Sequence, residues 1–311
     1  MMEIIPRAKS GLRALNAASS RYSGKRKATV RLLVCVDKGA DAGFVRHARR
    51  VLFPVSDKVD VEVAQYGDGP VTLNVHDKAA RPSLAIVIAA RSSCTGELLA
   101  ALRQAETPLA LFATVPAALA RQLDEDSVAQ SLSDVIPVPE LEAGGADAED
   151  VYAACFEELA VWVAAQSADL RAPLAQAYPF MRRAVANECT RQAALANALV
   201  SAAFILPGSD LAPLTFNQIR LVVQIAALFD LPLKTARLPE AFAVVLGGLG
   251  CRALVRLVTS RVPVVTVPLS VVVAFGATTA IGALALRYYE QRTDDAPDEA
   301  GCSIVPHGGA A

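Results

Sequence analysis

Between Arg261 and Arg287 the chain runs for twenty-five residues, Val262 to Leu286, without a charged side chain. An apolar run of that length belongs either across a bilayer or at the centre of a helical bundle. Pro263 and Pro268 are expected to exclude its first residues from the helix. That leaves 269–286, about 27 Å at 1.5 Å per residue, which just meets the length of a membrane span. Ala274, Thr278 and Gly282 place small groups every four residues on one face, a pattern that suits helix–helix contact in lipid or in protein. Two further stretches, 193–206 and 219–229, are also apolar, and this tips the reading towards the membrane. Composition agrees: 53% of residues are hydrophobic and only 5% aromatic. Such a chain is too apolar for a disordered or nucleic-acid-coating protein and favours packed helices over an all-β sandwich.

The formal charge of −1 conceals four blocks of alternating sign, +6 over residues 1–28, −9 over 29–165, +6 over 166–292 and −4 over 293–311. They suggest a basic flexible arm, an acidic α/β domain, a basic hydrophobic helical domain and an acidic disordered tail. In the arm, Ile4, Ile5, Leu12 and Leu15 are interspersed with the basic groups, so it reads as solvated chain or as a segment lying on anionic lipid. No continuous apolar stretch precedes Arg31, and a cleavable secretion signal is not expected. The six cysteines are widely spaced with no CxxC pair, which indicates neither a zinc site nor a disulfide framework and fits a reducing cytoplasm.

From Thr29 short apolar runs alternate with helical stretches. Thr29–Val36, Leu84–Ala90, Pro108–Val115 and Val135–Val138 read as buried strands. Val59, Val61 and Val63, then Val71, Leu73 and Val75, alternate around Gly67-Asp68-Gly69-Pro70, which signals a hairpin. Helices are expected near 41–53, 95–105, 117–131 and 147–166, giving a three-layer α/β domain in which a hairpin interrupts a parallel sheet.

That order resembles the Ras-like GTPase domain, which implies a phosphate loop after the first strand. The loop here is Lys38-Gly39-Ala40-Asp41-Ala42-Gly43-Phe44-Val45. Only Gly43 matches the family's pattern; Phe44 stands where a lysine neutralises phosphate, and Val45 where a hydroxyl ligates magnesium. Asp77-Lys78-Ala79-Ala80 lacks the glycine of the next motif, and Thr114-Val115-Pro116-Ala117 stands in place of the guanine-reading residues. The resemblance implies a pseudo-GTPase with a degenerate nucleotide site at Lys38, Gly43 and Asp77. GTP binding, like any other cofactor, is not expected.

After Ala165 the alternating pattern stops, and helices are expected over 180–206, from Thr215 onwards and over 239–260. Thr215 and Gln218 have the spacing of a capping box. Gly247, Gly248 and Gly250, next to Arg252, read as close helix packing in preference to a phosphate cradle, since no strand precedes them. Pro207-Gly208-x-Asp210-x-x-x-Leu214-Thr215-x-x-Gln218, Gly247-Gly248-Leu249-Gly250-x-Arg252, Ala274-Phe275-x-Ala277-Thr278 and Arg287-Tyr288-Tyr289 resemble the YcjF-type domain of unknown function over residues 170–291. That bacterial family often follows an Era-like GTPase domain, and many members are assigned to the inner membrane. The resemblance implies a structural or interaction role for Pro207, Asp210, Thr215, Gln218, Gly247, Gly248, Gly250 and Arg252, and it supplies no reaction.

His47, His76 and His307 are separated and sit in no catalytic pattern. His47, among Arg46, Arg49 and Arg50, reads as part of a solvated helix face. The acidic runs Asp124-Glu125-Asp126 and Glu149-Asp150 read as solvated helix ends, and Asp210 as a cap or turn residue. The expectation is therefore a non-catalytic adaptor at the inner membrane, its soluble domain facing the cytoplasm. Its partners would be the cytoplasmic membrane and a protein, either a GTPase or a second copy, with no nucleic acid. The alternative is a nucleotide-binding switch acting with a partner GTPase.

Overall fold

The computed structural model describes residues 30–67, 81–91, 94–114, 134–139, 148–166, 168–203, 211–230 and 266–294. The first half is a parallel sheet of β1 (Val30–Asp37), β2 (Val59–Tyr66), β3 (Leu84–Ala89), β4 (Leu109–Ala113) and β5 (Val135–Pro137), with helices α1 (Ala42–Val51), α2 (Thr95–Gln104) and α3 (Ala148–Ala165). Strand order is β2-β1-β3-β4-β5, with every pair parallel. Because β1, β3 and β4 are covered on both faces, their sequences are near-continuous apolar runs. Alternate residues feed two cores. Leu32, Val34, Ile86, Ile88 and Phe112 meet Phe44 and Ala48 of α1 and Phe156, Leu159 and Val163 of α3. On the other face Leu33, Cys35, Val87 and Leu111 meet Leu98, Leu99 and Leu102 of α2.

The alternation at Val59, Val61 and Val63 does mark a strand. Its partner is β1, which it joins in parallel over eight residue pairs from Val30↔Val59 to Asp37↔Tyr66. The α1 crossover brings β2 back in the direction of β1, as a strand–helix–strand unit requires. Residues 71–75, the other half of the expected hairpin, and the helices expected over 117–131 and 239–260 lie outside the described residues.

The second half consists of α4 (Ala168–Ala177), a 3-10 turn at Pro179–Met181, α5 (Arg182–Ala203), α6 (Leu211–Leu228) and α7 (Thr266–Asp294). The α/β core continues across Ala165, since Leu174, Tyr178 and Met181 pack into the cluster of α1 and α3, and Val55 N donates to Ala177 O at 2.9 Å. Beyond it, Val185, Ala186, Leu221, Ile225, Ile281 and Ala285 join α5, α6 and α7 in a separate core.

Two helix starts differ from expectation, and proline explains both. α6 begins at Leu211 and α7 at Thr266, with Pro213 and Pro268 in their first turns. Amide N–H groups in a first turn have no carbonyl partner within the helix, so proline costs nothing there. Thr215 and Gln218 consequently sit inside α6 and not at its start, so they form no capping box. α7 also continues to Asp294, giving 29 residues, about 43 Å at 1.5 Å per residue.

The small-residue stripe on α7 meets α5. Ala274, Thr278 and Gly282 are buried, and a Cβ on Gly282 would come within 2.3 Å of the Thr190 side chain.

Candidate functional site

In a doubly wound sheet the ligand crevice lies at the carboxyl ends of the strands, where connections depart in opposite directions. With this strand order the switch falls between β1 and β3, so Asp37 at the end of β1 and Ala90 just after β3 occupy the expected place. Asp37 is buried; its Oδ1 accepts from Gly39 N at 2.8 Å and its Oδ2 from Ala90 N at 3.0 Å. One carboxylate oxygen thus ties the end of β1 to that of β3, while the other holds the turn that follows β1. Nearby, Thr114 Oγ1 donates to Ala89 O at 2.8 Å, so the hydroxyl after β4 staples adjacent strands.

The loop after β1 shows the same inward use of polar groups. Asp41 caps α1, accepting at Oδ1 from Phe44 N at 2.6 Å and from Tyr152 OH at 2.9 Å. A carboxylate thus occupies the helix N-terminus that would attract a phosphate. Gly43 is enclosed: a Cβ there would lie 3.0 Å from both Asp41 Oδ1 and Tyr152 OH. Phe44 is fully buried, with its ring 5.1 Å from that of Phe112 and 5.4 Å from that of Tyr152. The position that carries a phosphate-binding lysine in the GTPase pattern is here the centre of an aromatic core. Lys38 is exposed, with its side chain beside Gly67, and Asp77 lies outside the described residues.

His47 corrects the sequence reading. It is largely buried, its ring 5.7 Å from Tyr152 and 5.5 Å from Phe156. Phe44, His47 and Ala48 share one face of α1, while Arg46, Arg49 and Arg50 are exposed. Arg50 Nη2 donates to His47 Nδ1 at 3.1 Å, which fixes Nδ1 as acceptor in a neutral ring. Burial, reinforced by the Arg50 charge, holds the imidazole below its ordinary value.

Beside α1, a groove of about 430 Å3 runs along β2, walled by Val45, Leu52, Phe53, Val61 and Val63 with Asp60 and Arg49 at its margin. Phe53 is 75% exposed.

In the helical half, buried polar groups cross three helices. Asn217 Nδ2 donates to Asn197 Oδ1 at 3.0 Å, Asn197 Nδ2 donates to Thr278 Oγ1 at 2.8 Å, and Thr278 Oγ1 donates to Ala274 O at 2.7 Å. Asn197 and Thr278 are fully buried. Gln218 is buried as well, its Nε2 without a partner among the described residues. Apolar side chains lie exposed on the same three helices: Leu195 and Leu199 on α5, Phe216 on α6, and Val272, Phe275 and Leu284 on α7. α7 is the one helix among the described residues long and apolar enough to cross a membrane, and only 33% of its apolar window is buried.

Of the motif residues, Thr215 is half-buried and Gln218 fully so on α6. Pro207, Asp210, Gly247, Gly248, Gly250 and Arg252 lie outside the described residues. Comparison with protein-family models, curated proteins and solved structures gives no match for this chain. The likeness to the YcjF-type domain stands on the quoted motifs alone.

Proposed function

We propose that this protein is a non-catalytic, membrane-associated adaptor, with the helical half seated in the cytoplasmic membrane and the acidic α/β half presented to a protein partner. The observation that carries this reading is the low burial of α7. A core helix of a soluble bundle is covered on all sides, whereas only 33% of the apolar window here is buried, and Val272, Phe275 and Leu284 stand exposed on it. The polar chain through Asn217, Asn197 and Thr278 fits the same setting, because interhelical hydrogen bonds and small-residue contacts hold helices together where the solvent is itself apolar. The groove along β2 is the feature of the α/β half best suited to a partner.

The pseudo-GTPase reading is supported by the filling of the nucleotide position, with Phe44 in the core and Asp41 and Asp37 engaged by backbone amides. These features weigh against a nucleotide-dependent switch. Cell fractionation tests the adaptor reading: the protein should sediment with membranes and resist high-salt extraction, and recovery in the soluble fraction would contradict it. Millimolar magnesium-GTP should leave the thermal midpoint unchanged, since a ligand that binds only the native state must raise it.

A further inference from the structure

Away from the strand ends and the exposed apolar flank, α4, α5 and α6 enclose a cavity of about 570 Å3, within the range that holds a small-molecule group. Its wall is unusually rich in donors: Arg171 from α4, Gln192 from α5, and Asn217, Arg220 and Gln224 from α6, with Asp169 the single carboxylate among the lining residues. Arg171 is 92% buried. Its Nη1 donates to Gln192 Oε1 at 3.1 Å and its Nη2 to Gln166 O at 2.9 Å. Its Nε is buried and has no partner among the described residues. Each Nη carries a second N–H beyond the bond named.

Gln192 is held in turn, donating from Nε2 to Glu188 Oε1 at 2.8 Å, while Glu188 is clamped by Arg191 at 2.7 and 2.8 Å. Arg171 is therefore fixed in orientation before any ligand arrives. Arg220 has no hydrogen bond or ion pair among the described residues. Arg171 and Arg220 both line this cavity, as does Cys189, so the two cations share one space.

We propose that this cavity is a binding site for a phosphate group, with Arg171 and Arg220 as its two guanidinium ligands. Planar N–H forks match phosphate oxygens, and two of them with neighbouring amides suit a group with several acceptor oxygens. The volume exceeds that of a bare ion, leaving space for a moiety esterified to the phosphate. The group could be carried by a soluble molecule or by an anionic lipid, and the test separates these sources.

The full-length protein is assayed by equilibrium dialysis against radiolabelled orthophosphate, and by flotation with phosphatidylglycerol or pure phosphatidylcholine vesicles. Arg220→Gln and Arg220→Lys are run alongside. Arg220 is exposed, so both variants should keep the wild-type circular dichroism and thermal midpoint. Saturable orthophosphate binding weakened at least tenfold in Arg220→Gln, and partly kept in Arg220→Lys, supports the site with a soluble source. Preference for phosphatidylglycerol over phosphatidylcholine that Arg220→Gln abolishes supports it with a lipid source, even without orthophosphate binding. Absence of both, or binding that Arg220→Gln leaves unchanged, overturns the proposal. Uniform attachment to both vesicle types without saturable orthophosphate binding also overturns it while leaving the membrane reading intact.

Discussion

Replacing Gly282 by alanine tests the packing of the helical half at its tightest point. A Cβ at this position would lie 2.3 Å from Thr190 Cγ2 and Oγ1, and 2.8 Å from Thr190 Cβ. Thr190 is buried and its hydroxyl donates to Ala186 O at 2.8 Å, so rotating the side chain away breaks a buried hydrogen bond. Forcing one methyl group into such a contact costs about 1–3 kcal/mol, and the lost bond adds about 1 kcal/mol. Against this stands a gain of about 1 kcal/mol from replacing glycine by alanine within a helix. The net expectation is a loss of about 1–3 kcal/mol. Gly276 provides the control on the same helix, because a Cβ there meets nothing within 4 Å; Gly276→Ala should be neutral or stabilising by up to about 1 kcal/mol. The assay is urea denaturation in mild detergent followed by far-UV circular dichroism. Thr190→Gly should remove most of the penalty in the double variant, whereas Thr190→Ala should remove only part, since its Cβ remains in contact. If Gly282→Ala is as stable as Gly276→Ala, the α5–α7 packing described above is refuted.

Three further outcomes follow from named contacts. Asn197→Ala leaves Asn217 Nδ2 without its acceptor and opens a hole beside Thr278, so the unfolding midpoint should fall by the equivalent of about 2–3 kcal/mol; an unchanged midpoint would remove the polar chain from the account. Asp41→Ala removes the α1 cap and the Tyr152 partner together, with an expected cost of about 1–2 kcal/mol by thermal denaturation, and Tyr152→Phe should show the smaller share. Because His47 is held below the ordinary histidine value of 6.5, the unfolded chain takes up its proton first as pH drops. Its stabilising contribution is present above 6.5 and is lost as pH falls through the lowered folded value. Denaturation midpoints should therefore decline on acidification below about 6.5, and His47→Phe should flatten that part of the profile.

The sheet was legible where burial on both faces left its mark. β1, β3 and β4 are near-continuous apolar runs, and their shortness, with turn signals on either side, favours strand over buried helix. The parallel placement of β2 was not legible, because strand pairing is a long-range property and an edge strand alternates whether its neighbour is parallel or antiparallel. His47 was misread through its arginine neighbours in sequence; the spacing Phe44, His47, Ala48 on one helical face was the available signal. The stripe of Ala274, Thr278 and Gly282 could be read because its period is that of a helix, and the structure supplies what faces it. The filled strand ends were half legible: the missing lysine was visible at Phe44, but the engagement of Asp37 by the amide of Ala90 depends on residues 53 positions apart meeting at the carboxyl ends of two inner strands. The cavity of Arg171 and Arg220 could not be read at all, since three helices contribute its walls and each of its residues is unremarkable on its own helix.

A helical half seated in the membrane puts the exposed apolar side chains of α5 and α7 in lipid. Trp162, bonded to Asp134 Oδ1 at 2.7 Å in the α/β half, is the single tryptophan, so the native protein serves as the reference sample. The direct measurement is fluorescence quenching by brominated phosphatidylcholine in reconstituted vesicles, comparing the native protein with Phe275→Trp and Leu199→Trp in a Trp162→Phe background. The introduced tryptophans should be strongly quenched, and Trp162 of the native protein only slightly. Introduced tryptophans that keep their full emission in brominated lipid, or are quenched by aqueous iodide instead, would contradict that placement.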